Sequence, residues 1–216
     1  MKRFKDDLGS TIDAEDNLTK MILIEQAIDT AHSIIEPVSR SYAFYDCLTS
    51  VLDFARESNN FDLLARSDTI LEEIDNKGAH ARALSYLAVV LATFQREEHA
   101  EDTLVDAINT TSMIKDDFDR RDAFLDIATS AADIFFLLNK RNMIDVSLSL
   151  AEHLTVGQKA YLFGYLATVL PENESAQFLN NAMQLADTIT DPITKSKVYL
   201  ELASLVTTFQ KRLDIQ

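Results

Sequence analysis

Two columns of residues, stepping together through the chain at a spacing near 40, constrain the fold more than any other feature. The first is Ile34, Ile74, Ile114, Leu154 and Ile189, at intervals of 40, 40, 40 and 35. The second is Leu48, Ala88, Ala128, Ala167 and Ala203, at intervals of 40, 40, 39 and 36. A period of this length marks a repeat array, in which each unit buries its apolar face against its neighbours. Local context repeats too. Ile28-x5-Ile34-x5-Arg40 recurs as Ile108-x5-Ile114-x5-Arg120, with Ile74 and His80 in the intermediate copy.

Within a copy, apolar residues fall at helical spacing, as in Leu18, Met21, Ile22, Ile24, Ala27, Ile28, Ala31, Ile34 and Ile35. Glu36-Pro37 ends that run, because proline excludes the residue before it from the α region. With 4 glycines and 3 prolines in 216 residues, the elements must be long and the connections few. The expected fold is all-α, a right-handed α-α superhelix or solenoid of about five antiparallel helical hairpins, 10–11 helices in all. One helix of each pair, A, is expected near 39–57, 79–96, 118–138, 157–170 and 192–209. The other, B, is expected near 17–36, 60–76, 99–115, 140–154 and 174–189. Residues 1–16 are a weakly patterned segment whose Phe4, Leu8 and Ile12 allow a degenerate helix; 17–210 form the repeat domain and 211–216 a tail. The columns Phe44, Leu84, Phe124, Phe163, Tyr199 and Cys47, Leu87, Ile127, Leu166, Leu202 should form the seams between helices. Glu36 with Arg40, Asp116 with Arg120, and Asp191 with Lys195 place an acid four residues before a base at the start of helix A, an orientation that favours pairing.

Composition narrows the function classes. A formal charge of −15 argues against binding a nucleic-acid backbone, which requires a basic patch. The acidity reads either as a solubility or salt-adaptation trait or as a match to a basic partner. Apolar runs such as Ala83 to Phe94 fall short of the roughly 18 residues a spanning helix needs, so no membrane crossing is expected. The N-terminus lacks the apolar stretch of a secretory signal, and the single cysteine, Cys47, excludes an intrachain disulfide; both suggest a cytoplasmic protein.

Helix A carries a small residue after a core Leu or Ile (Leu87-Ala88, Ile127-Ala128, Leu166-Ala167), and helix B carries Ala100 and Ala107. In this the chain resembles the tetratricopeptide-like class of α-solenoid repeats over about 200 residues, although its period is longer, no tryptophan opens helix A, and alanine stands where that family has glycine. The resemblance implies a protein or peptide receptor whose A helices line a concave groove. Members that clamp a C-terminal carboxylate use lysines and asparagines there; the matching positions here are mainly Asp, Thr and Tyr, the wrong sign.

If the A helices line such a groove, the stripe spaced 4, 3, 4 along each one should face it. It reads Tyr42, Asp46, Thr49, Asp53; Arg82, Tyr86, Val89, Thr93; Asp122, Asp126, Thr129, Asp133; Tyr161, Tyr165, Thr168; and Lys197, Glu201, Ser204, Thr208. Tyrosine suits peptide contact, and carboxylates suit Lys or Arg. The expected partner is a protein or peptide with a basic or amphipathic segment. The plainer alternative is a set of solvated faces in an acidic protein.

No catalytic residue, cofactor or metal is expected. Asp116-Asp117-Phe118-Asp119 is similar to the aspartate-rich motif of helical prenyl-chain enzymes, but it has no second partner and reads better as a helix N-cap. His32, His80, His99 and His153 lack the Glu three residues upstream that a helical diiron site requires. Cys47 sits in a core column and should be an inert buried thiol. No Walker loop, GxGxxG or GxSxG occurs. The last helix is apolar on more than one face, with Val198, Leu200, Leu205 and Phe209 prominent, and the residues beyond it are too few for a partner helix B. An uncapped repeat leaves its seam open to water, so self-association through this helix, as a homodimer, or docking of the N-terminal segment of another chain on it, is a further expectation. The reading is therefore a noncatalytic protein-interaction scaffold. A helical enzyme or small-ligand protein using the same groove, or a structural subunit that assembles through its apolar end, remains as the alternative.

Overall fold

The computed structural model describes the backbone from Lys2 to Leu213 and the side chains from Asp16 to Thr207. Among the described residues there are ten α-helices and no strand: α1 (Lys2–His32), α2 (Pro37–Glu57), α3 (Ser67–Glu72), α4 (Lys77–Thr93), α5 (Glu97–Thr111), α6 (Asp117–Leu138), α7 (Asn142–Leu150), α8 (Val156–Val169), α9 (Glu172–Asp187) and α10 (Pro192–Leu213). The all-α expectation is met, and the helices fall where the 40-residue columns place them. Phe4, Leu8, Ile12 and Phe209 lie outside the described side chains. No described helix is long and apolar enough to cross a membrane.

Three B segments differ from expectation: the first, α1, already runs from Lys2, the fourth, α7, gives way to a 3-10 turn at Ala151–His153, and the second departs most. The second B segment begins as a 3-10 helix, Phe61–Arg66, and only then becomes the six-residue α3. Asn60 caps the start of the 3-10 helix by accepting from the Asp62 amide at 3.1 Å, and Leu64 is the residue it buries.

The chain divides into two compact units, Met1–His80 and Ala81–Gln216. In the first, α2 packs against α1 on one side and against the 3-10 segment and α3 on the other. Its core is Phe44, Leu48, Val51 and Leu52 with Leu64, Ile70 and Ile74. In the second, the A helices α6, α8 and α10 contact one another in succession, while α5 and α7 pack on α6 and α9 packs on α8 and α10. The seam residues Ile127, Leu166 and Leu202 are buried, as their column requires.

The junctions correct one expectation. Glu36, Asp116 and Asp191 do not pair with the base four residues on. Each is an N-cap instead: Glu36 accepts from the amides of Val38 and Ser39, Asp116 from those of Phe118 and Asp119, and Asp191 from that of Thr194. A carboxylate folded back over its own helix amides points away from the next turn, which frees the base. His80 Nδ1 donates to the Ile74 carbonyl at 3.2 Å, Arg120 Nη1 to that of Ile114 at 3.3 Å, and Lys195 Nζ to that of Asp187 at 2.9 Å. Each donor thus satisfies a carbonyl at the end of the preceding B segment, where a helix leaves its acceptors unpaired. Arg40, in the same column, pairs with Asp75 at 3.5 Å.

Glycine is scarce at the turns from A to B. Asn59, Gln95 and Asn139 adopt the left-handed conformation there, with φ of 49°, 57° and 55°. Asparagine tolerates this region; glutamine gains nothing from it.

Candidate functional site: the A-helix faces

In the second unit the expected stripe residues lie on neighbouring helices and meet. The Arg82 guanidinium on α4 pairs with the Asp126 carboxylate on α6. Gln158 Nε2 on α8 donates to Asp122 on α6 at 2.8 Å, and the Tyr165 hydroxyl on α8 donates to Asp133 on α6 at 2.6 Å. The rings of Tyr161 and Tyr165 stack with centroids 6.3 Å apart. The stripe residues Arg82, Tyr86, Asp122, Asp126, Asp133, Tyr161, Tyr165 and Glu201 are all half-buried. At the third stripe position Val89 and Thr168 turn inward and are buried, whereas Thr129 is half-buried and Ser204 exposed.

The electrostatics are those of a shared acidic surface. Burial raises the Tyr161 pKa above the usual phenol value, and Glu201, Asp126 and Asp133 push it further the same way, because a phenolate would face three carboxylates. The Asp126 carboxyl is also raised, chiefly by burial, against the pull of Arg82 and with Asp122 adding to the rise. Its side chain nevertheless keeps 38% of its surface open.

In the first unit, Asp46 and Asp53 of α2 border a different feature. An open groove of about 760 Å³ runs between α1 and α2, floored by Ala27, Ala31, Ile34, Ala43 and Cys47. Tyr42, half-buried on the same helix, does not line it. Lys20 pairs with Glu57 at the groove edge and lowers the Glu57 pKa. Burial, with Asp46 second, raises the Cys47 thiol above its ordinary value, which slows but does not prevent its oxidation, because Cys47 also lines the open groove. The stripe spacing missed this groove because it treats one helix at a time. The available signal was the apolar run from Leu18 to Ile35, of which Leu23, Ile24, Ala27, Ala31 and Ile34 line the groove.

At the other end, Val198 is buried against its own unit with Leu202, and Leu205 packs beside them. Of the described apolar residues expected to offer a self-association surface on α10, Leu200 is the exposed one, at 70%. Asp116 caps α6, as its junction position implied. Among the described residues no three His, Cys, Asp or Glu side chains are grouped to hold a metal ion.

No protein-family model, curated protein or solved structure matches the chain.

Proposed function

We propose that this chain is a noncatalytic protein-interaction scaffold of tetratricopeptide-like kind, whose A-helix faces take up a basic or amphipathic segment of a partner protein. The observation in support is the gathering of Asp126, Asp133 and Glu201 around Tyr161, with Tyr165 bonded to Asp133 and Asp122 beside Asp126, on three successive A helices. Rigid tyrosine rings beside carboxylates offer stacking area and charge-assisted acceptors to Lys or Arg. Arg82 already pairs with Asp126, so a partner guanidinium would compete with it there.

The test is anisotropy titration with a fluorescent lysine- and leucine-containing amphipathic peptide, with its glutamate-for-lysine counterpart as the control. Binding should weaken with salt, and the pair Asp126→Lys and Asp133→Lys should weaken it by about tenfold or more, equivalent to about 1.4 kcal/mol. Equal binding of both peptides, or no effect of the charge reversal in a folded variant, would refute the reading. A structural subunit assembling through its apolar ends is the second reading, favoured by the open groove between α1 and α2.

A further inference from the structure

The last repeat holds helix α8 in a clasp made by α9 and α10. Ala182 and Ala186 of α9 join Val198 and Leu202 of α10 in one buried cluster with Ala160 of α8, and Ile189 and Leu205 pack against it. The face that α8 presents is cut back to glycine. A Cβ at Gly157 would come within 3.3 Å of Val198, and one at Gly164 within 2.4 Å of Leu202.

Carried back through the repeat register to the first copy, Ala182, Ala186 and Ile189 become Ala27, Ala31 and Ile34 of α1. Val198, Leu202 and Leu205 become Ala43, Cys47 and Ser50 of α2. Those six residues line the open groove. The groove is therefore the clasp of the first copy, without a described A helix in it.

Helix α10 carries the matching face. Its counterparts of Gly157 and Gly164 are Ile193 and Leu200, which are 82% and 70% exposed. Ala203 is exposed as well, although Leu48, Ala88, Ala128 and Ala167 of its column are all buried. The sizes are reversed in step. Where glycine on α8 meets Val198 and Leu202, isoleucine and leucine on α10 would meet Ala43 and Cys47, so a large residue again faces a small one.

Charge keeps the same register. In the second unit Arg82 of one A helix pairs with Asp126 of the next. The residue in the Arg82 column on α10 is Lys197, and the residue in the Asp126 column on α2 is Asp46. Lys197 is exposed beside Glu201, and Asp46 lines the groove.

We propose that α10 of one molecule seats in the α1–α2 groove of a second copy of this chain, with Ile193 over Ala43, Leu200 over Cys47 and Lys197 paired with Asp46. The contact is heterologous, head to tail, and it generates rings or filaments according to whether the rotation closes. It is independent of what the acidic face of the second unit binds.

Cys47 is the single cysteine of the chain, which makes the register directly testable in the full-length protein. The Leu200→Cys variant, oxidised with copper phenanthroline, should form disulfide-linked species in multiples of 24.3 kDa. Those species should disappear when Cys47→Ser is added. Absence of linked species would overturn the proposal. So would links that persist in the Cys47→Ser background, which would report a symmetric contact between two α10 helices, or a disulfide closing within one molecule. Sedimentation gives the second arm. The wild-type mass should rise with concentration, and Leu200→Glu should weaken association at least tenfold with an unchanged helical spectrum. Lys197→Glu and Asp46→Lys should each weaken it severalfold and together restore most of it. A wild-type protein that stays monomeric at all concentrations, or a charge swap that does not restore association, would overturn the proposal.

Discussion

The Tyr165 hydroxyl on α8 donates a 2.6 Å hydrogen bond to the Asp133 carboxylate on α6, tying two successive A helices at a point where both side chains are half-buried. A bond to an ionised acceptor contributes more than a neutral one. Tyr165→Phe should therefore lower stability by about 1 kcal/mol, measured by urea denaturation with an unchanged m-value. Because the ring stays, its stacking on Tyr161 should persist.

Gly164 decides how closely α8 approaches α10. In isolation, alanine in a helix is favoured over glycine by about 1 kcal/mol. Here its Cβ would meet Leu202 at 2.4 Å and Leu205 at 3.2 Å, inside a buried cluster. Overpacking costs about 1–3 kcal/mol, so Gly164→Ala should destabilise the wild type. In a Leu202→Ala background the obstruction is gone and the same substitution should stabilise. A double-mutant cycle by thermal denaturation reads that change of sign.

Ser147 is fully buried on α7, and its hydroxyl has no hydrogen-bond partner. The other copies place Ala27, Ser67, Ala107 and Ala182 in its column, and Ser67 shares the same unsatisfied state. An unpaired buried hydroxyl is a liability that alanine removes without leaving a large void. Ser147→Ala should raise stability by about 1 kcal/mol, visible as a higher Tm.

Gln95 holds a left-handed turn between α4 and α5, φ 57°. Glycine adopts this conformation without the Cβ clash, so Gln95→Gly should stabilise by about 1 kcal/mol despite the added freedom of the unfolded chain. Gln95→Val should destabilise by more than that gain, because a β-branched side chain fits the region worst.

His80 supplies a pH dependence. Burial lowers its pKa below the ordinary histidine value and outweighs the Ile74 carbonyl bond, which raises it; Lys77 adds to the lowering. The folded state therefore binds this proton less readily than the unfolded state, whose histidine titrates at about 6.5. Stability from this group is complete above the unfolded pKa and is lost as pH falls below it towards the folded value. The Tm should drop between about pH 7 and pH 5, and His80→Gln, which can still donate to Ile74, should make that drop smaller.

Much of the fold was legible in the residues because a repeat displays the same decision five times. The column Cys47, Leu87, Ile127, Leu166 and Leu202 gives a seam that any single helix would leave ambiguous. The stripe residues of the second unit were equally legible, since helical spacing alone puts Asp122, Asp126 and Asp133 on one face of α6. The junction pairs were misjudged for a local reason. Spacing allows Asp116 to reach Arg120, but it does not register that the amides of Phe118 and Asp119 compete for the same carboxylate and stand closer.

By itself the sequence determined the all-α class, the approximate helix positions and the buried column Cys47, Leu87, Ile127, Leu166 and Leu202, because period, proline and scarce glycine act within one or two turns of the chain. Tertiary structure alone decided which copies are complete. Leu200 and Leu202 look alike as letters, yet one is 70% exposed and the other 4%. Likewise Ala43 and Cys47 became the floor of an open groove, whereas Val198 and Leu202 close on α8. Burial depends on whether a neighbouring helix occupies the facing clasp, and no residue specifies that occupancy through its own spacing.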